Sequence, residues 1–133
     1  MVQPKLSRVD EISRLGAESY LLLTTFRKDG TPVPTPVWAA PDDAALWVWT
    51  VRDAGKVKRI RRDGTVTVGP CTSRGKPTGD PVQARAELVD AAGSEHARKV
   101  ISAKYGLIGR LAMLGSRLRR GAEGTVGIRI TLV

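Results

Sequence analysis

The sequence predicts a single α+β domain built on six antiparallel strands that can close into a small barrel. Three observations predict it. Short apolar or alternating runs recur between turn signals, at 20–26, 31–40, 46–50, 65–68, 82–89 and 125–132. Most of them follow one another at hairpin distance, without the long crossovers that parallel strands need. Amphipathic helical stretches fill the remaining gaps, which is the layering of an α+β fold. The 133 residues show no repeat, low-complexity segment or linker, so 1–133 reads as one domain with a core of its own.

In chain order, 6–16 is a short amphipathic helix with Val9, Ile12 and Leu15 on one face and Gly16 as its stop. A strand at 20–26 (YLLLTTF) turns through Arg27-Lys28-Asp29-Gly30, a hairpin signal. Its partner, 31–40 (TPVPTPVWAA), carries Pro34 and Pro36, which cannot donate to a ladder; part of it must be an edge or border a bound group. Pro41-Asp42-Asp43 is the next turn. The run Leu46-Trp47-Val48-Trp49 suits a strand buried on both faces, with Trp47 and Trp49 expected on opposite faces.

The chain is organised around the junction between that run and the basic segment after it. Asp53 is the expected N-cap of a short helix with Val57 and Ile60 as its apolar stripe, Lys56 and Arg59 on one flank, and Gly64 as its end. A strand that delivers a helix N-terminus ringed with Lys and Arg suits an anion, because dipole, N–H groups and side chains act together. The plainer reading, a solvated helix face, is slightly favoured by this segment alone.

A strand at 65–68, with Val66 and Val68 inward, runs into a glycine-rich loop at 69–79 carrying Arg74 and Lys76. The strand at 82–89 alternates cleanly. A helix over 91–105 is interrupted by Gly106 and followed by a second at 107–118, apolar on one face and basic on its flank. The closing strand, 125–132, points Val126, Ile128, Ile130 and Leu132 inward.

The formal charge of +9 exceeds what solubility requires and points to an anionic partner: a phosphate-bearing cofactor, nucleic acid or an anionic membrane surface. Cys71 is the only cysteine and His96 the only histidine, which excludes an intramolecular disulfide and a Cys/His zinc site. The stretch MVQPKLSRVDEI has no apolar core of signal-peptide kind and no run approaches the ~20 apolar residues of a span, so neither is expected, and a cytoplasmic location is. Hydrolytic machinery is hard to assemble: His96 lies among charged helical neighbours as a surface histidine, Cys71 reads as a buried structural thiol, and Glu87 as one half of a cross-strand charge pair. The loop at 69–79 matches no nucleotide fingerprint. No catalytic residue and no metal ligand is therefore assigned. A chain with few acids and bases but a cationic seat suits a role in which a bound cofactor does the chemistry. Of the three tryptophans, Trp38 is the one expected to border a ligand.

The stretches YLLLTTFRKDGTPVPTPVW, LWVWTVRDAGKVKRIRRDGTVTV and CTSRGKPTG, with a late KYG, together resemble the pyridoxamine 5′-phosphate oxidase-like split-barrel superfamily. Within it the likeness is to actinobacterial oxidoreductases that use coenzyme F420, a deazaflavin. The resemblance implies a six-stranded split barrel, a homodimer, and a flavin or deazaflavin in a groove at the dimer interface. It also implies that Lys56 grips the cofactor phosphate. The neighbouring arginine of the oxidases falls on Gly55, with Lys58 and Arg59 as candidates to compensate. Thr50 and Val51 fall where the strand end meets the phosphate-bearing chain, and Pro36, Val37 and Trp38 on the strand along which the tricyclic ring lies. Arg74 and Lys76 are further cations for the tail. The C-terminal Arg-x-His type motif of true pyridoxamine phosphate oxidases is absent; the chain ends in IRITLV.

The leading expectation is thus an F420-dependent oxidoreductase acting on an electron-poor small molecule such as a quinone, an enone or a tetrapyrrole-like pigment. An FMN-dependent enzyme on the same fold is the near alternative. A non-catalytic cofactor- or anion-binding protein is the alternative of another class. A nucleic-acid role is disfavoured by the few aromatics free for stacking, and stable membrane insertion is not expected.

Overall fold

The computed structural model describes residues 8–120 and 124–133, with side chains for all of these except 107–120. The elements run α1 (Arg8–Gly16), β1 (Leu21–Phe26), β2 (Pro32–Val37), β3 (Ala40–Asp42), β4 (Ala45–Val51), α2 (Gly55–Arg62), β5 (Thr65–Pro70), β6 (Val82–Leu88), α3 (Ala91–Arg120) and β7 (Thr125–Leu132). The strands form one sheet in the order β2-β1-β5-β6-β7-β4-β3, every neighbouring pair antiparallel.

The described residues hold seven strands where six were expected, because the single strand read over 31–40 is two. β2 pairs with β1 from Pro32 opposite Phe26 to Val37 opposite Leu21. The chain then leaves the ladder at Trp38, and Ala40–Asp42 pairs instead with β4, Ala40 opposite Trp47. The hairpin turn comes one residue later than expected, at Asp43 and Ala44, both with positive φ (53° and 58°); two successive left-handed residues are what a tight two-residue hairpin requires. The prolines fall into phase. Arg27 N–H bonds the carbonyl of Thr31, which sets residues 31, 33, 35 and 37 as those facing β1. Pro32, Pro34 and Pro36 therefore turn their backbone to the free side of an edge strand.

The core lies on the concave face. Leu21 and Leu23 of β1, Leu46 and Val48 of β4, Val66 and Val68 of β5, Ala84 and Ala86 of β6, and Ile128 and Ile130 of β7 meet there, with Ile12 and Leu15 of α1 and Ile60 of α2. Each fully buried leucine, isoleucine or valine contributes roughly 1.5–3 kcal/mol. Val9 was expected on that face but is 59% exposed, and the buried stripe of α1 is Ile12 and Leu15 alone. α3 covers the convex face instead. There Ala45, Trp47, Trp49 and Val89 pack on Ala97 and Val100, and Trp38 and Ala40 pack on Ile101 and Tyr105. Trp47 and Trp49 thus share a face, as residues two apart on a strand must; the expectation of opposite faces was wrong. Leu46 and Val48 fill the other side, so β4 is buried on both faces as expected.

α3 breaks at Gly106 (φ 66°, ψ −149°), where the sequence placed the interruption. The apolar and basic faces expected for 107–118 lie outside the described side chains. Among the described residues no helix is long and apolar enough to cross a membrane, and no cluster of His, Cys, Asp and Glu could hold a metal.

Candidate cofactor-binding site

β4 delivers the chain directly to α2. Ala54 N–H bonds the carbonyl of Val51 at 3.2 Å, and that turn makes Ala54, not Asp53, the N-cap; no side chain caps the helix. Asp53 sits one residue too early and is exposed. At the far end the helix stops at Asp63, whose carboxylate accepts from Thr65 N–H at 3.0 Å. Gly64, expected as the terminator, is instead the point of closest approach to β6: a Cβ there would lie 2.6 Å from the carbonyl of Ala86.

Val57 and Ile60 anchor α2 in the core as expected, and this orients its flank. Arg59 is half-buried and its Nε donates to Thr25 Oγ1 at 2.6 Å, a buried hydroxyl on the concave side of β1. The guanidinium also lies against Gly55: a Cβ on that glycine would be 2.9 Å from one terminal nitrogen. Arg59 thereby fills the space that a side chain at 55 would use. Lys56 lies beside it, half-buried, with its pKa pushed down first by burial and then by the Arg59 charge. Among the described residues neither Lys56 nor Arg59 forms a salt bridge with a carboxylate. No acidic residue stands in the first turn of α2. Two adjoining cations, one of them desolvated, with an uncapped helix start, form a donor set that fits a phosphate-type anion.

The remaining expected site residues fall into four places. Thr50 and Val51 end β4 just before this turn, paired with Val126 and Thr125. Lys58 and Arg61 are exposed on the other side of α2, whereas Arg62, also exposed, turns toward β1 and donates to the carbonyl of Phe26. Pro36, Val37 and Trp38 lie at the far end of β1 from Thr25: Pro36 is exposed opposite Leu22, Val37 is buried opposite Leu21, and Trp38 stacks on Tyr105.

Arg74 and Lys76 are exposed on the loop after β5, which is closed by Thr72 through its carbonyl to Gly75 N–H (2.9 Å) and its hydroxyl to Lys76 N–H (3.1 Å). That loop touches the convex side of β1, since a Cβ on Gly75 would lie 3.6 Å from Pro36 and 3.7 Å from Leu22. The two sets of cations therefore stand on opposite faces of β1. Below the loop, Leu22, Thr24, Thr67, Gly69, Pro77, Gly79 and Pro81 line a groove of about 90 Å³.

Three partners in this constellation were missed by sequence reasoning. Thr25 was read only as a strand residue, although a threonine at an inward position of β1 needs a polar partner. Lys104 and Tyr105 were noticed only as part of KYG, and they reach Ala39 from α3. The residues set aside as structural behave so. Cys71 is buried and its thiol pKa is raised, chiefly by burial and then by Glu18. Glu87 pairs across strands with Arg129 at 3.2 Å. His96 is partly exposed at the surface but partnered: its Nε2 lies 2.7 Å from Asp42 Oδ2, and its ring meets Trp47 edge-on at 4.7 Å.

No protein-family model and no curated protein matches the chain. Solved structures do. A protein from Listeria innocua that carries the name pyridoxamine 5′-phosphate oxidase superposes with a TM-score of 0.64 at 17% identity, over 95% of this chain and 94% of that one. The fold is the split barrel of the pyridoxamine 5′-phosphate oxidase-like proteins. An FAD-binding protein from Mesorhizobium loti shares the split barrel with a TM-score of 0.62 at 22% identity, over 96% of this chain and 88% of its own. So does HutZ, the heme storage protein of Vibrio cholerae, with a TM-score of 0.65 at 14% identity, over 92% and 88%. At these identities the likeness is one of split-barrel architecture.

Proposed function

We propose that the chain is an oxidoreductase that binds a flavin-type cofactor by its anionic tail at the start of α2, with coenzyme F420 as that cofactor. One observation carries the reading: the half-buried ammonium of Lys56 sits beside Arg59 with no carboxylate to balance it among the described residues. A fold that desolvates a cation and supplies no counter-ion leaves its energy to be recovered from a ligand. Lys56 and Arg59 would hold the phosphate, with Arg59 fixed in place by Thr25. The exposed Lys58 and Arg61 extend the positive surface along the helix toward the string of carboxylates that F420 carries. Val37 and Trp38, at the opposite end of β1, would border the tricyclic ring. When bound, the cofactor supplies hydride transfer to an electron-poor small molecule such as a quinone, an enone or a tetrapyrrole-like pigment. The protein's part is binding, orientation and exclusion of water. A homodimer, joined over the convex groove of β1 and β5, completes the reading.

FMN is the second reading, and the position of Arg59 favours it. The arginine that the oxidases carry next to the lysine is Gly55 here, yet the Arg59 guanidinium occupies the same neighbourhood and restores a compact lysine–arginine seat. Titration of the purified protein with F420 and FMN at rising salt separates the two. Exposed cations are individually weak and screened at ~0.15 M salt. F420 should therefore bind more tightly at low salt, by a margin that falls as salt rises and grows with the number of tail glutamates. FMN binding as tight or tighter at every salt concentration moves the assignment to the flavin branch. Binding of neither overturns both. Binding without oxidation of the reduced cofactor by quinone or enone acceptors makes the chain a carrier.

A further inference from the structure

Between β2 and β3 the backbone is held by side chains of α3 and not by the sheet. Ala39 N–H donates to the hydroxyl of Tyr105 at 3.2 Å, and Ala39 C=O accepts from Lys104 Nζ at 2.6 Å. The Tyr105 hydroxyl has the carbonyl of Ser19 at 2.8 Å and that of Ala39 at 3.3 Å as acceptors for its own proton, and Lys104 Nζ also donates to the carbonyl of Glu18. Trp38 stacks on Tyr105 with centroids 4.5 Å apart and planes 9° from parallel, and Lys104 Nζ stands 4.8 Å from the centre of the tyrosine ring. Two consecutive residues thus fasten the α1–β1 link, the β2–β3 link and α3 to one another. Both are half-buried, and Gly106 ends their helical turn with a backbone shape that few other residues adopt.

We propose that Lys104 and Tyr105 are positioning residues for the ring end of the cofactor, acting through Trp38 and the end of β2. The proposal rests on the cofactor reading above. Its basis is the distance between the two ends of the site. Val37 is registered opposite Leu21, while Arg59 engages Thr25 four residues along β1; at ~3.3 Å per residue that separates them by about 13 Å. The tail seat is held by α2 and the ring end by α3, with no side chain shared between the two sets of bonds. Nothing in the ladder fixes Trp38, because the sheet releases the chain at Val37. Its orientation comes from the tyrosine face and from the two bonds to Ala39.

The separation gives a test that a purely structural tyrosine would not pass. Tyr105→Phe keeps the stacked ring and deletes the hydroxyl's bonds to Ala39 and Ser19. Its affinities are measured for complete F420 and for the tail-less deazaflavin chromophore, with FMN and riboflavin as the flavin pair, well below the melting temperature. The expected result is a loss of about 3- to 10-fold, the same for tailed and tail-less forms, the size of one or two net hydrogen bonds. Lys56→Met, in contrast, should weaken only the tailed form. Lys104→Gln repeats the measurement should Tyr105→Phe fail to fold. A variant that melts earlier but binds both forms like the parent overturns the proposal. A parent that binds none of the four compounds overturns the cofactor reading itself, and this proposal with it.

Discussion

Lys56 holds a charge that its own fold disfavours. Burial and the neighbouring Arg59 lower its pKa below the ordinary 10.5. Between that lowered value and 10.5 the unfolded chain carries a proton that the folded chain has lost, so stability rises with pH across this window. Below it the folded protein bears the full penalty of a charged, desolvated lysine. Lys56→Met should therefore melt higher than the parent at pH 7 and low salt, by roughly 1–3 °C, since the site is only half-buried. The gap should narrow as pH climbs and the parent's lysine discharges. The same variant should bind the proposed cofactor more weakly by roughly 1.5–3 kcal/mol. A lysine kept for stability would show the reverse on the first count and nothing on the second. Thermal melts across pH, paired with titrations, check both.

At the level of elements, α3 is the part whose seating depends on a single small residue. Gly127 of β7 faces it, and a Cβ there would lie 2.9 Å from Ser94 Cα and 3.0 Å from both Ala97 Cβ and Val89 Cγ2. Ser94 Oγ also accepts from Gly127 N–H at 2.8 Å. Gly127→Ala should cost roughly 1–3 kcal/mol by prising α3 from the sheet, read as a lower denaturation midpoint with little change in its slope. Elements of this kind were largely legible in the sequence. Alternation at 82–89 and 125–132, and the Asp-Gly turn after Phe26, are local signals and gave strands and hairpin in their places. What escaped was set by partners far along the chain. The break after Val37 depends on Tyr105, which no window around Trp38 contains. The cap of α2 depends on a backbone turn from Ala54 to Val51 that displaces Asp53. In the candidate site, the cationic flank of α2 was visible as spacing, but Thr25 as the anchor of Arg59 was not. Nor was the separation of Arg74 and Lys76 onto the other face of β1, because face is a property of the assembled sheet.

For the whole molecule, α3 protects the convex side of β4 and β7, while over β1 and β5 the convex side keeps its groove of Leu22, Thr24, Thr67 and prolines. That asymmetry is the reason to expect a homodimer joined there, and light scattering at micromolar concentration should give twice the chain mass. A stable monomer mass would count against the homodimer that the resemblance implies. The two ends of the sheet differ as well. Along the open margin of β2, every backbone group that faces away belongs to Pro32, Pro34 or Pro36, so that margin offers carbonyl oxygens and no N–H at all. An incoming strand needs donors and acceptors in alternation, and here it would find only half of them. In the vocabulary of polymers, β2 is a chain terminator: growth of the sheet past this edge stops here, and it does so without depending on charge, salt or pH.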